Sequence, residues 1–296
     1  MGVWVDGERC VNCPSFANCT KPTLRASRLL HSRFKLLKRC STVWTATDTK
    51  STSSLIVAVK IPACIASYSD EPMMARLEAG KKLTAHVARK YVLFPLEAFT
   101  RKDGRRCSVM SVMHGTLEDV RKTLAAKEVQ NVAAQLFLGL DYMHSACAVL
   151  HIKPDNVLFL STNKGVRVKF ADFSCWDQKR RHRTGILPID FWATGIMLLE
   201  LWSQTNVLGG YRKWNEQKGK HSFDFDLLYQ RQKTLNARKA FDMNARKEVK
   251  DLVVRHQAVK LRDTLRRMLL VDPKRRVDSR QLFSSVVPPE LAKWKK

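Results

Sequence analysis

Apolar and polar residues alternate in short runs through the first third of the chain and recur at helical spacing through most of the rest. The strand pattern begins near residue 34. Val43-Trp44-Thr45-Ala46-Thr47 alternates, the polar stretch from Asp48 to Ser54 predicts a turn, and Leu55-Ile56-Val57-Ala58-Val59 predicts a buried strand ending at Lys60. A helical stretch is expected around Met73 to Leu83. Two strands, Tyr91 to Phe99 and Cys107 to Met113, flank Lys102-Asp103-Gly104-Arg105, whose Asp-Gly pair suits a hairpin turn.

Beyond a connection near 111–116 the pattern is mainly helical. Val132, Ala133, Leu136, Leu140 and Met143 share one face of a helix spanning Val129 to His144. A hairpin interrupts, with strands Val157 to Leu160 and Val166 to Phe170 about an Asn163-Lys164-Gly165 turn. Further helices are predicted at about 188–202, 240–256 and 259–270. The longest apolar stretch, Ile186 to Trp202, is interrupted by Pro188, Asp190 and Glu200, so it predicts a buried helix and no membrane span. The fold class expected is α+β and bilobal: an extension over residues 1–30, a β-rich lobe over 31–113 and a larger helical lobe over 114–290.

Composition changes this picture in one respect. Fifty-three Lys and Arg against 27 Asp and Glu give a formal charge of +26, spread along the chain. A field of that sign favours acidic or phosphorylated partners, with nucleic acid bound non-specifically at most. Eight cysteines and no secretory signal at the start imply a reducing compartment, cytoplasmic or nuclear. Cys10 and Cys13 have zinc-ligand spacing, with Cys19 and His31 or Cys40 as further candidates, but no second Cys-x-x-Cys pair follows, and free thiols are expected.

The candidate chemistry centres on Lys153-Pro154-Asp155-Asn156 and, sixteen residues past Asn156, Asp172-Phe173-Ser174. These offer two oxygen ligands, Asn156 and Asp172, on either side of a short hairpin, an arrangement suited to magnesium and a nucleotide. With Val57-Ala58-Val59-Lys60, Glu78 eighteen residues further on, Tyr142-Met143-His144-Ser145, Asp190-Phe191-Trp192-Ala193-Thr194-Gly195 and Asp272-Pro273-Lys274-Arg275-Arg276, the chain resembles the eukaryotic protein kinase superfamily over roughly residues 34–290.

That resemblance implies a bilobal kinase-like fold and a site for ATP and Mg. Ala58, Lys60 and Glu78 would serve the nucleotide, with Lys60 at the α- and β-phosphates and Glu78 fixing it. Asn156 and Asp172 would hold metal, and Lys153 would approach the γ-phosphate. Asp190 would anchor the catalytic loop from beneath.

Four departures bear on activity. Leu36, Lys38 and Ser41 stand where the phosphate-covering loop of the family has glycines. His151, in Val149-Leu150-His151-Ile152-Lys153, stands where the catalytic aspartate is expected, or is the family's histidine with the Arg-Asp pair after it deleted; either way no carboxylate is placed there. Ser174 replaces a glycine. Only seventeen residues separate Asp172 from Asp190, and they contain no Ala-Pro-Glu, which leaves Arg276 without the glutamate it pairs in relatives. The segment carries Lys179-Arg180-Arg181-His182-Arg183 instead, a solvated loop or a polyanion-docking run.

The expected function is that of a pseudokinase or strongly impaired serine/threonine kinase acting with a protein partner or substrate. The alternatives are an active atypical serine/threonine kinase and a basic polyanion- or nucleic-acid-binding protein on a kinase scaffold. The trimmed form is similar in style to kinase-like proteins of large DNA viruses.

Overall fold

In this computed structural model the residues described are 4–5, 8–9, 29–40, 43–52, 55–62, 90–145, 152–163, 165–171, 187–207, 212–215, 220–223, 230–231, 233–235, 240–242 and 246–276. The chain divides into two compact units, Met1–Leu117 with Asp155–Trp176, and Glu118–Pro154 with Asp177–Lys296.

The first unit is built on strands. β1 (Trp4–Val5) and β2 (Glu8–Arg9) form an isolated antiparallel pair. β3 (Leu29–Leu30), β4 (Phe34–Cys40), β5 (Val43–Asp48), β6 (Ile56–Lys60), β7 (Pro95–Thr100) and β8 (Arg106–Ser111) form a six-stranded sheet in the order β3-β4-β5-β6-β8-β7. Every pairing in it is antiparallel, so alternate residues line one face. Phe34, Ala46, Val57, Val59, Cys107 and Val109 make the buried face, with Leu30, Leu36, Ile61 and Phe99 packed around them.

The sheet curls on itself. Phe34 of β4 and Phe99 of β7, with three strands between them in the order, stack with ring centroids 5.6 Å apart, and His31 covers Phe99 at 4.6 Å. Arg33 closes the same seam. Its Nε and one terminal nitrogen donate to both Asp48 oxygens at 2.7 and 2.6 Å, and the other terminal nitrogen donates to Glu97 at 2.9 Å. The Arg33 guanidinium holds the Asp48 carboxyl below the usual carboxylate range. Two exposed leucines mark irregular pairing in this sheet. The register slips between Leu36 and Lys38 and between Pro95 and Glu97, and the extra residues, Leu37 and Leu96, are 39% and 59% exposed.

A second, three-stranded sheet in this unit has the order β11-β10-β9, from β9 (Gly115–Thr116), β10 (Val157–Thr162) and β11 (Gly165–Phe170). Gly165 has φ +107°, a conformation that favours glycine, at the turn between β10 and β11.

The second unit is helical: α1 (Leu117–Val120, entering from the first unit), α2 (Ala126–Ser145), α3 (Leu187–Ser203) and α4 (Leu252–Met268). α3 is apolar on nearly all sides and is buried accordingly from Thr194 to Trp202. Pro188 sits in its first turn, where a missing N–H breaks no helical bond. Gly195 lets α3 approach the end of α4: a Cβ there would meet Leu269 Cδ2 at 3.0 Å and Met268 Cβ at 3.2 Å. Gln130 of α2 donates its side-chain amide to the Val254 carbonyl at 2.9 Å. No helix among the described residues is long and apolar enough to cross a membrane.

Three expectations are corrected. The helices predicted at 240–256 and 259–270 are replaced by a 3-10 turn at Lys247–Lys250 and one helix, α4. Asp251 sets that boundary, in an extended conformation (φ −62°, ψ 125°) from which its carboxylate accepts the Val253 and Val254 N–H groups. Arg246 is withdrawn from any helix of its own. Its buried guanidinium donates to the carbonyls of Leu201, Trp202 and Leu124 at 2.7, 2.8 and 2.6 Å and lies over the Trp202 ring, so it caps the C-terminal end of α3.

The strand expected over Tyr91 to Phe99 begins only at Pro95. Val92 pairs instead with Phe170 of β11, and the Leu93 N–H donates to the Phe170 carbonyl at 2.9 Å. The region expected to be helical also contains a hairpin, β12 (Arg212–Asn215) with β13 (Lys220–Phe223). The helix predicted at Met73 to Leu83 lies outside the described residues.

Candidate functional site

β6 lies between β5 and β8 and presents two different faces. Val57 and Val59 enter the core, 2% and 0% exposed, so the alternation turns Ala58 and Lys60 together onto the opposite face. The register supplies their neighbours. Thr45, Ala58 and Met110 form one row across three strands, and Val43, Lys60 and Ser108 the next. All six are half-buried. The small Ala58 side chain leaves the face low between Thr45 and Met110. Thr45, Met110, Val43 and Ser108 were not singled out from the sequence; the strand alternation contains them, but only the pairing register places them beside Ala58 and Lys60.

The segment expected to form the phosphate-covering loop is strand through most of its length. Leu36 pairs with Ala46 and Lys38 with Thr45, and pairing continues to Cys40 with Val43, leaving residues 41–42 to connect the strands. Ser41 lies outside the described residues.

Lys153 is half-buried and precedes a 3-10 turn, Pro154–Asn156, that leads into β10. Val157 pairs with Phe170, and one step further the Ala171 N–H donates to the Asn156 carbonyl at 2.8 Å. Asn156 thus stands at the open end of the hairpin, 7% exposed, directly across from the residue that precedes Asp172.

His114 fastens this hairpin. Its N–H donates to the Phe159 carbonyl at 2.9 Å, its Nδ1 accepts the Ser161 N–H at 3.0 Å, and its ring packs edge-on against Phe159. Because Nδ1 accepts, the neutral ring carries its proton on Nε2, and burial pushes its pKa down.

Glu78, His151 and Asp172 lie outside the described residues, as do Cys10, Cys13 and Cys19 of the considered zinc site and the basic run 179–183. His31 stacks on Phe99. Among the described residues there is no group of three or more His, Cys, Asp or Glu that could hold a metal ion.

In the second unit, two motif residues meet. His144, in the last turn of α2, donates Nε2–H to Asp190 Oδ2 at 3.0 Å, and its ring stands edge-on to Phe191 at 5.1 Å. Arg276 donates to the Leu270 and Val271 carbonyls at 2.7 and 3.2 Å, and burial lowers its pKa.

Residues 40–186 match the protein kinase domain family. Over 158 residues, 46% of this chain, the sequence is 27% identical to the serine/threonine-protein kinase SKY1 of Saccharomyces cerevisiae. That stretch amounts to 21% of the relative's own length, so the chain spans about a fifth of it. Both findings support the protein kinase superfamily. The curled sheet of the first unit and the helices of the second fit its α+β fold.

Proposed function

We propose that this protein is a serine/threonine kinase-like protein that holds Mg-ATP and is strongly impaired in phosphoryl transfer: a pseudokinase that works with a protein partner. The observation that carries the reading is a pairing of what is kept with what is missing. Ala58 and Lys60 share one half-buried sheet face, and Asn156 stands across the hairpin end from Ala171. Meanwhile 149–153, Val-Leu-His-Ile-Lys, contains no carboxylate to orient a substrate hydroxyl.

The donor chemistry fits the proposed cofactor. Lys60 supplies an ammonium for phosphate oxygens, and Asn156 and Asp172 supply the hard oxygen ligands that magnesium takes. Bound Mg-ATP would supply a transferable phosphoryl group. Lys153 would neutralise charge at the γ-phosphate, as the family resemblance implies. The transfer step itself depends mainly on positioning and charge stabilisation. Without a fixed anion beside Lys153, an incoming alcohol is neither oriented nor relieved of its proton, because His151 offers at most a weaker, rotatable acceptor. The basic surface supports an acidic or phosphorylated partner.

Thermal denaturation with and without Mg-ATP tests the reading. At a tenfold excess over Kd a ligand specific for the folded state adds about 1.4 kcal/mol, which is a rise of a few degrees. The rise should vanish in Lys60→Ala and Asp172→Ala, and radiolabel transfer to a generic basic protein should be undetectable. Retention of Lys60, Lys153 and the candidate metal ligands Asn156 and Asp172 favours a second reading, an active atypical kinase. Transfer that is abolished by Asp172→Ala would establish it and overturn the first.

A further inference from the structure

We propose that Lys38 is a second phosphate-binding cation of the same site, turned into position by the irregularity at Leu37, and that it replaces the backbone donors a glycine-rich loop would provide. This inference rests on the nucleotide reading above.

In an uninterrupted strand Leu36 and Lys38 would share a face, and Leu36 pairs with Ala46 on the core side. The pairing slips by one residue between them, so Lys38 lies opposite Thr45 instead. Thr45 in turn lies opposite Ala58. The extra residue therefore carries Lys38 across the sheet, onto the face that holds Ala58 and Lys60. Lys38 is half-buried there, whereas Lys35, Leu37 and Arg39 on the same strand are exposed.

Lys38, Thr45 and Ala58 form one row, with Lys60 in the adjacent row. At strand spacings of about 4.8 Å the Lys38 backbone lies roughly 10 Å from that of Ala58, within reach of a four-carbon stem for any group resting on Ala58. The chemistry matches the loss it would offset. A side chain at 38 holds the backbone away from a phosphate on this face, which a glycine would not. A flexible ammonium needs no such approach and acts as a point charge.

Arg39 supplies the control. It is the next residue and carries the same charge, but it pairs with Trp44, on the core side of β5, and its guanidinium lies 5.9 Å from that ring. A general effect of charge on a basic protein would be equal at the two positions, while a phosphate contact would be confined to Lys38.

The experiment is calorimetric titration of the full chain with Mg-ATP and with adenosine, using wild type, Lys38→Gln, Lys38→Arg and Arg39→Gln, each first shown to unfold at the wild-type temperature. Lys38→Gln should weaken Mg-ATP about fivefold to tenfold and leave adenosine unchanged, Lys38→Arg should restore most of the loss, and Arg39→Gln should stay within twofold. Equal losses at Lys38 and Arg39 would overturn the assignment, as would a loss that extends to adenosine. Unaltered Mg-ATP affinity in Lys38→Gln would overturn it and leave the nucleotide reading standing. Wild-type protein that binds neither ligand would remove both.

Discussion

His144 Nε2 and Asp190 Oδ2 lie 3.0 Å apart with side chains 5% and 1% exposed, so the last turn of α2 is joined to the first turn of α3 by a buried, charge-assisted hydrogen bond. A carboxylate so placed has given up nearly all contact with bulk water, and its stability in the folded state depends on what it touches.

Removing the imidazole should therefore cost more than the bond itself. His144→Ala leaves the carboxylate without this donor, and a loss of roughly 2–4 kcal/mol is expected. Urea unfolding measures it as a lower midpoint at unchanged slope. Asp190→Asn, which keeps the shape and one acceptor, should lose less. A His144→Ala midpoint equal to wild type would show that the pair carries no stability.

Gly195 offers a packing test in the same unit. In Gly195→Ala the added methyl meets Leu269 Cδ2 and Cγ at 3.0 and 3.2 Å and Met268 Cβ at 3.2 Å. The end of α4 must give way or the contact stays strained, and a loss of about 1–3 kcal/mol is expected. Calorimetric unfolding with no loss would mean that α4 shifts freely.

The turn between β3 and β4 predicts a gain. His31 and Ser32 have φ of 54° and 52°, in the left-handed region where a side chain is disfavoured by roughly 1–2 kcal/mol per residue. His31 stacks on Phe99, while Ser32 is exposed. Ser32→Gly should raise the unfolding free energy by about 1 kcal/mol, measured by chemical denaturation. A decrease would refute this account of the turn.

His114 predicts a pH dependence with a definite sign. Burial holds the folded ring neutral below its ordinary pKa of 6.5, and its Nδ1 is committed to the Ser161 N–H. As pH falls through 6.5 the unfolded chain takes up a proton that the folded one refuses. Stability is therefore present above that pH and is lost below it, by at most about 1.4 kcal/mol per pH unit from this one group. His114→Asn keeps an acceptor for Ser161 without titrating, and should flatten the slope of stability between pH 6.5 and 5. An unchanged slope would sink the assignment.

How much of this could be read from residues alone differs from element to element. The two valines of β6 and the apolar stripe of α2 show their period directly, because burial on one face leaves a mark at every second or every third to fourth position. The hairpin of β10 and β11 is legible in the same way, since Asn163-Lys164-Gly165 marks where the chain reverses between two apolar runs. Leu37 gave no such mark: which of two successive leucines is extruded depends on the partner strand. The hairpin Arg212–Asn215 with Lys220–Phe223 has little apolar alternation to detect. Arg246 was invisible for a related reason. A cation bonded to the carbonyls of a distant helix end has no characteristic sequence neighbour, and the stretch around it keeps a helix-like composition although the helix itself starts after Asp251.

Cys107 is fully buried among Phe34, Val57 and Val109, and burial pushes its thiol pKa up. A thiolate-directed reagent cannot react with it while the β-sheet stays closed. Its rate of alkylation, followed on its own peptide, is therefore a clock for the breathing of the curled sheet. Any compound that settles onto the far face of β6 and tightens that sheet will announce itself by slowing the clock, before anyone knows what the compound is.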